Sequence, residues 1–150
     1  MIDRILVAID GSNHSLKAVE YAADIAAGCK STLIILTVLR SHQLPNLSKE
    51  LRSYAQMEHI SGADFEAMKL LSGELLSHAE RIAKERNVTA IDKMVETGPV
   101  ARTIVAIAAR KKANMIVIGS RGLGNIEATL RGGVSHRVEL LAKCPVLTVK

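Results

Sequence analysis

The stretch "RILVAIDGSNHSLKAVEYAADIAAG", Arg4 to Gly28, decides how the rest of the chain is read. It opens on an apolar, β-branched run free of Gly and Pro, which predicts a buried strand over Arg4–Asp10. Ser12 or Asn13 can cap the segment that follows. There Leu16, Val19, Ala23 and Ala26 recur at helical spacing, and Gly28 is placed to end the helix.

The same strand-then-helix alternation continues. "TLIILTVL" (Thr32–Leu39) is a second buried strand, and "RSHQLPNLSKE" then breaks the pattern at Pro45. A long helical region follows, with Met68, Leu71, Leu75, Ala79 and Ile82 as its apolar stripe and Gly62 as a break before it. "DKMVET" (Asp92–Thr97) alternates apolar with polar, which places a third strand near an edge. Gly98-Pro99 turns the chain, with Pro99 suited to the first helical position. Val100, Ile104, Ile107 and Ala108 make the next helix face, and Arg110, Lys111 and Lys112 close it against the dipole. "NMIVIG" is a fourth strand. Val134, Val138 and Leu141 mark a last helix, and "CPVLTVK", begun by Pro145, a last strand.

Strand and helix alternate with no linker and no internal repeat. The chain therefore reads as one α/β domain over residues 1–150, a parallel sheet with helices on both faces. Ligands in such sheets sit beyond the C-terminal strand ends, where strand order reverses. If strands one and four are neighbours, "AIDGS" and "VIGSRG" open into one crevice.

Composition narrows the class. At 150 residues with 48% hydrophobic and 23% charged content, the chain can bury a proper core. Runs such as "ILVAI" and "LIIL" are far too short to cross a membrane. Asp3 and Asp10 flank the first apolar run, which makes a poor signal peptide and predicts a cytoplasmic protein. Cys29 and Cys144 form no C-x-x-C and read as free thiols. Residues 76–150 hold thirteen Lys/Arg against six Asp/Glu, a net of +7. That field favours an anionic ligand, and a solvated basic face is the plainer reading.

The stretch "GSRGLGNIEATLRGGVS" (Gly119–Ser135) lies in that basic half and holds five of the ten glycines. It is no G-x-G-x-x-G, and it follows the fourth strand rather than the first. Gly119 and Gly124 match the glycine spacing of a Walker A, but Asn125 and Ile126 stand where Lys and Ser/Thr are needed. What remains is Gly119-x-x-Gly122, nine residues, then Gly132-Gly133, with Val134 and Ser135 opening a helix. Backbone N–H groups and a helix N-terminus can hold phosphate oxygens, and glycine leaves no Cβ in the way.

"ILVAIDGS", "VETGPVARTIVAIAARKKANMIVIGSRGLG" and "PVLTV" together resemble the universal stress protein family over nearly the whole chain. The nucleotide-binding branch of that family carries G-x2-G-x9-G-[S/T]. Gly119, Gly122 and Gly132 match it in type and spacing, and Gly133 departs at the hydroxyl position, with Ser135 close enough to substitute. The resemblance implies an open five-stranded parallel sheet of order 3-2-1-4-5, of the adenine nucleotide alpha hydrolase-like kind. It implies ATP between strands one and four, with AMP or ADP as alternatives and Mg²⁺ alongside, and a homodimer. Carried over by position, Ala8 and Asp10 line the adenine and ribose side and Val38 contacts adenine. Gly119, Gly122, Gly132, Gly133, Val134 and Ser135 hold ribose and phosphates. Arg121 and Arg131 are expected to add charge near the phosphates by their sign alone, with no motif position of the family behind them.

Other chemistry is disfavoured. His14 and His136 invite a Ser–His–Asp arrangement, but no G-x-S-x-G elbow is present. His42, His59 and His78 lack metal-ligand spacing. Tyr21, Tyr54 and Phe65 are too few for base stacking, so specific nucleic acid is not expected as a partner. The expected function is a nucleotide-dependent stress-response sensor or switch without dedicated catalysis, acting on an unidentified protein partner. A nucleotide-free interaction module and a slow ATPase are the alternatives. "PVLTV" reads as an edge strand, and pairing with its copy through residues 145–150 would cover it.

Overall fold

Alternate side chains of each strand point to opposite sheet faces, and here both faces are apolar. In a computed structural model describing residues 1–40, 60–121 and 133–150, five strands follow: β1 (Arg4–Ile9), β2 (Thr32–Leu39), β3 (Ile91–Thr97), β4 (Met115–Gly119) and β5 (Val146–Val149). They pair in parallel in the order β3-β2-β1-β4-β5. Four helices lie among the described residues: α1 (Asn13–Cys29), α2 (Ile60–Glu85), α3 (Val100–Arg110) and α4 (Val134–Leu141).

The period of two divides the core cleanly. Ile5, Val7 and Ile9 of β1 join Leu33, Ile35, Val117 and Val149 beneath α1 and α2. Leu6 and Ala8 join Ile34, Leu36, Ile116 and Ile118 beneath α3 and α4. The α1 face is small-residued (Ala18, Val19, Ala22, Ala23 and Ala26), so its backbone can lie close to the sheet. β3 stands at one edge, as its alternation requires, and β5 at the other. Cys29 and Cys144 are both free.

Local expectations shift in four places. α1 does not end at Gly28: it runs to Cys29, and Lys30 takes the left-handed position at φ 56°, ψ 38°. Gly28 is an exposed helical residue, and a Cβ there would meet nothing within 4 Å. Gly28→Ala is therefore expected to raise stability by about 0.5–1 kcal/mol, read by urea denaturation. α2 continues through Gly62 without a break. Leu71, expected in its stripe, is 64% exposed, while Ser72, Leu76, Ala79 and Ala83 are buried. Pro99 caps α3 from one residue before its first turn.

Part of the basic charge is committed to the fold. Arg110 pairs with Glu96 at 2.7 Å and Lys111 with Asp92 at 2.9 Å, tying the end of α3 to β3. Hydrogen bonds from Lys93 and Lys84 hold the Glu80 carboxyl down at about 2. These cations explain themselves without a ligand.

Candidate functional site

β1 lies between β2 and β4, so the chain leaves β1 toward one side of the sheet and returns on the other. The C-terminal ends of β1 and β4 are thus neighbours at the point of reversal, where Ala8 pairs with Ile118. Beyond β1 the chain turns through Asp10, Gly11 and Ser12. Gly11 has φ 87°, a left-handed conformation that suits glycine. Asp10 Oδ1 accepts the Ser12 N–H at 2.9 Å, and the Ser12 side chain caps α1 by accepting the Ser15 N–H at 3.2 Å. Ser15 is buried, and its hydroxyl donates to the Ser12 carbonyl at 2.9 Å.

Beyond β4, three contacts join Gly119, Ser120 and Arg121 to α1. A Cβ on Gly119 would lie 2.7 Å from the His14 carbonyl carbon and 2.9 Å from His14 Cβ and O. Alternation explains the direction: Val117 faces α1 and α2, and Gly119, two residues on, faces the same way. His14 Nδ1 sits 2.9 Å from Ser120 Oγ. The Ser12 hydroxyl donates to the Arg121 carbonyl at 3.2 Å. From the other side, Ser135 in the first turn of α4 directs its hydroxyl to the Ser120 carbonyl at 3.5 Å.

The N-termini of α1 and α4 consequently meet at Ser120–Arg121. Each helix start carries about half a positive charge in unpaired N–H groups. Neither helix has an acidic residue in its first turn to offset it. Arg121 is exposed beside them. The arrangement can hold an anionic oxygen.

The expected site residues fall in three groups. Asp10, Gly119, Arg121, Gly133, Val134 and Ser135 stand where β1, β4 and α4 begin or end. Ala8 is buried in the core beneath α3 and α4, and half-buried Val38, two residues beyond Leu36 on β2, packs against the same cluster. Gly122, Arg131 and Gly132 lie outside the described residues. Sequence reading overlooked Ser120, which only the fold brings against His14. His14 meets Ser120 at hydrogen-bond distance.

Gly133 is the N-cap of α4, at φ −59° and ψ 177°, with no side-chain cap. Any residue adopts that conformation. Gly133→Ser is expected to stabilise the protein by a few tenths of a kcal/mol through a new cap and to leave ATP affinity unchanged or higher. Paired melting curves and calorimetry check both parts.

The profile of the universal stress protein family matches residues 1–150. The chain belongs to the universal stress protein family. Universal stress protein YxiE of Bacillus subtilis (strain 168) is 34% identical over 150 residues, covering all of both chains. Universal stress protein MJ0531 of Methanocaldococcus jannaschii is 34% identical over 147 residues, covering 98% of this chain and 81% of the relative. A crystal structure of a universal stress protein in complex with cAMP superposes with a TM-score of 0.73 at 28% identity. It covers 99% of this chain and 96% of that one. The sheet order 3-2-1-4-5 implied by the family resemblance is the order observed.

Proposed function

We propose that this universal stress protein binds an adenine nucleotide between the ends of β1 and β4 and works as a nucleotide-dependent switch in the stress response. The observation that carries the reading is the meeting of two helix N-termini, α1 and α4, at Ser120–Arg121. The cAMP complex of a relative supports the adenine class. ATP is the proposed ligand, with AMP and ADP as alternatives. Mg²⁺ would enter with its phosphates, while Asp10 belongs to the adenine and ribose side of the proposed set. Among the described residues no group of three His, Cys, Asp or Glu side chains could hold a metal alone. No helix among them is long and apolar enough to cross a membrane, and the cytoplasm is the proposed location.

Binding only the native state, ATP at a hundred times its Kd should stabilise it by about 2.7 kcal/mol. That is a rise of roughly 5–11 °C in Tm for a chain of this size. Purified protein should also release an adenine nucleotide on denaturation. No thermal shift and no calorimetric heat with millimolar ATP and Mg²⁺ would sink the reading in favour of a nucleotide-free interaction module.

The assembly proposed is a homodimer through residues 145–150. The carbonyls of Pro145 and Val149 accept from Ile116 and Ser120 N–H groups, so odd-numbered residues of β5 address β4. The N–H and C=O of Val146 and Thr148 then face the open edge. Leu147 and Val149 belong to the core, so charging them would test folding instead. Thr148→Pro removes an edge donor and no bond to β4, and should convert a dimer to a monomer in sedimentation. A persisting dimer would place the interface elsewhere.

A further inference from the structure

We propose that His14 is a positioning residue that makes nucleotide binding proton-dependent, by deciding whether Ser120 Oγ gives its hydrogen to the protein or to the ligand. The inference rests on the nucleotide reading above and adds a regulator to that site.

The Ser120 hydroxyl has one hydrogen and two lone pairs, and His14 Nδ1 lies 2.9 Å from it. With the imidazole neutral in its Nε2–H form, Nδ1 is an acceptor and Ser120 must donate to it. The hydroxyl then shows an anionic ligand only lone pairs. Protonation turns Nδ1 into a donor. Ser120 Oγ accepts from it, and its own hydrogen is released toward a phosphate oxygen. The length of the contact need not change; only the direction of the hydrogen bond reverses.

The surroundings leave this hydroxyl as the movable part. The Ser120 N–H is held by the Val149 carbonyl at 2.7 Å, and its carbonyl receives the Ser135 hydroxyl. The His14 backbone is packed against Gly119, where not even a Cβ would fit. The imidazolium also places positive charge beside the crevice, so both effects tighten anion binding as pH falls. Other charged or titratable groups on the elements that meet here include Asp10 before α1, Lys17, Glu20, Tyr21, Asp24 and Cys29 within it, and Arg137 and Glu139 on α4. Arg121 follows β4, Lys150 follows β5, His136 opens α4, and Glu74 and His78 lie on α2, whose Leu75 reaches Gly11. Of these, His136 and His78 are imidazoles, and histidine is in general the side chain that switches charge between about pH 5 and pH 8.

The test is calorimetric titration with ATP–Mg²⁺ and with AMP near both ends of that range, on wild type, His14→Asn, Ser120→Ala and His136→Asn. The ligand's own titration cancels in the ratio of wild-type to variant affinity. Wild type should gain about tenfold over Ser120→Ala on acidification, the scale of one added hydrogen bond to a charged group. His14→Asn should lose the pH response, and His136→Asn should keep it. In the ligand-free protein, Ser120→Ala should displace the His14 imidazole titration seen by NMR. Equal pH profiles in all four proteins would overturn this inference and leave the nucleotide reading standing. Absence of ATP and AMP binding by wild type throughout would overturn both.

Discussion

Gly119→Ala is expected to destabilise the ligand-free protein by about 1–3 kcal/mol, the usual cost of overfilling a packed site. The added methyl would meet the carbonyl carbon, Cβ and O of His14 at 2.7–2.9 Å, well inside van der Waals contact. Backbone atoms cannot rotate away as a side-chain tip can. Relief would require α1 to lift from β4, against the buried alanine face of α1 and the Ser12–Arg121 and His14–Ser120 hydrogen bonds. Tm should fall by roughly 2–4 °C for each kcal/mol lost. Urea denaturation followed by circular dichroism checks this. An unchanged midpoint without nucleotide would mean that Gly119 serves the ligand alone. Residue 119 is thus expected to be glycine for helix–strand approach first, whatever the crevice holds.

Gly122→Val is expected to reduce ATP affinity by more than about 100-fold. The basis is the spacing Gly119-x2-Gly122-x9-Gly132, since residue 122 lies outside the described residues. If phosphate oxygens lie against that backbone, a branched side chain displaces them. Each hydrogen bond to a charged group is worth about 1.5–3 kcal/mol, so losing two suffices for the factor stated. Asp10→Ala should weaken binding less, because it removes one contact and no backbone approach. A substitution where φ is positive can also destabilise, so a melting curve must accompany the titration. Wild-type affinity in a folded Gly122→Val protein would detach the glycine spacing from the nucleotide.

These two glycines divide what each kind of reading can reach. Hydrophobic period is a property of neighbours in the chain, so the strands and helices were visible in it. The buried runs Ile5–Ile9 and Leu33–Leu36 and the alternating edge strand β3 needed no tertiary information. The parallel sheet with helices on both faces followed from the alternation, and the strand order from family resemblance. Helix ends were less legible, because ends rest on single residues: Lys30 accepts a left-handed conformation that glycine would take more readily.

The candidate site divides the same way. Asp10, Gly119 and Ser135 entered the candidate set through the family resemblance, at positions that border strands or helices whose period is visible. The pairing of His14 with Ser120 spans 106 positions of sequence, and nothing local at either residue specifies the other. It exists because β1 packs beside β4, and because alternation turns Gly119 toward α1 while α4 begins at the same point. Sequence by itself determined the elements and the apolar faces they must bury. Only packing those faces together decided which polar ends would meet, because long-range contacts follow from burial and not from the order of residues.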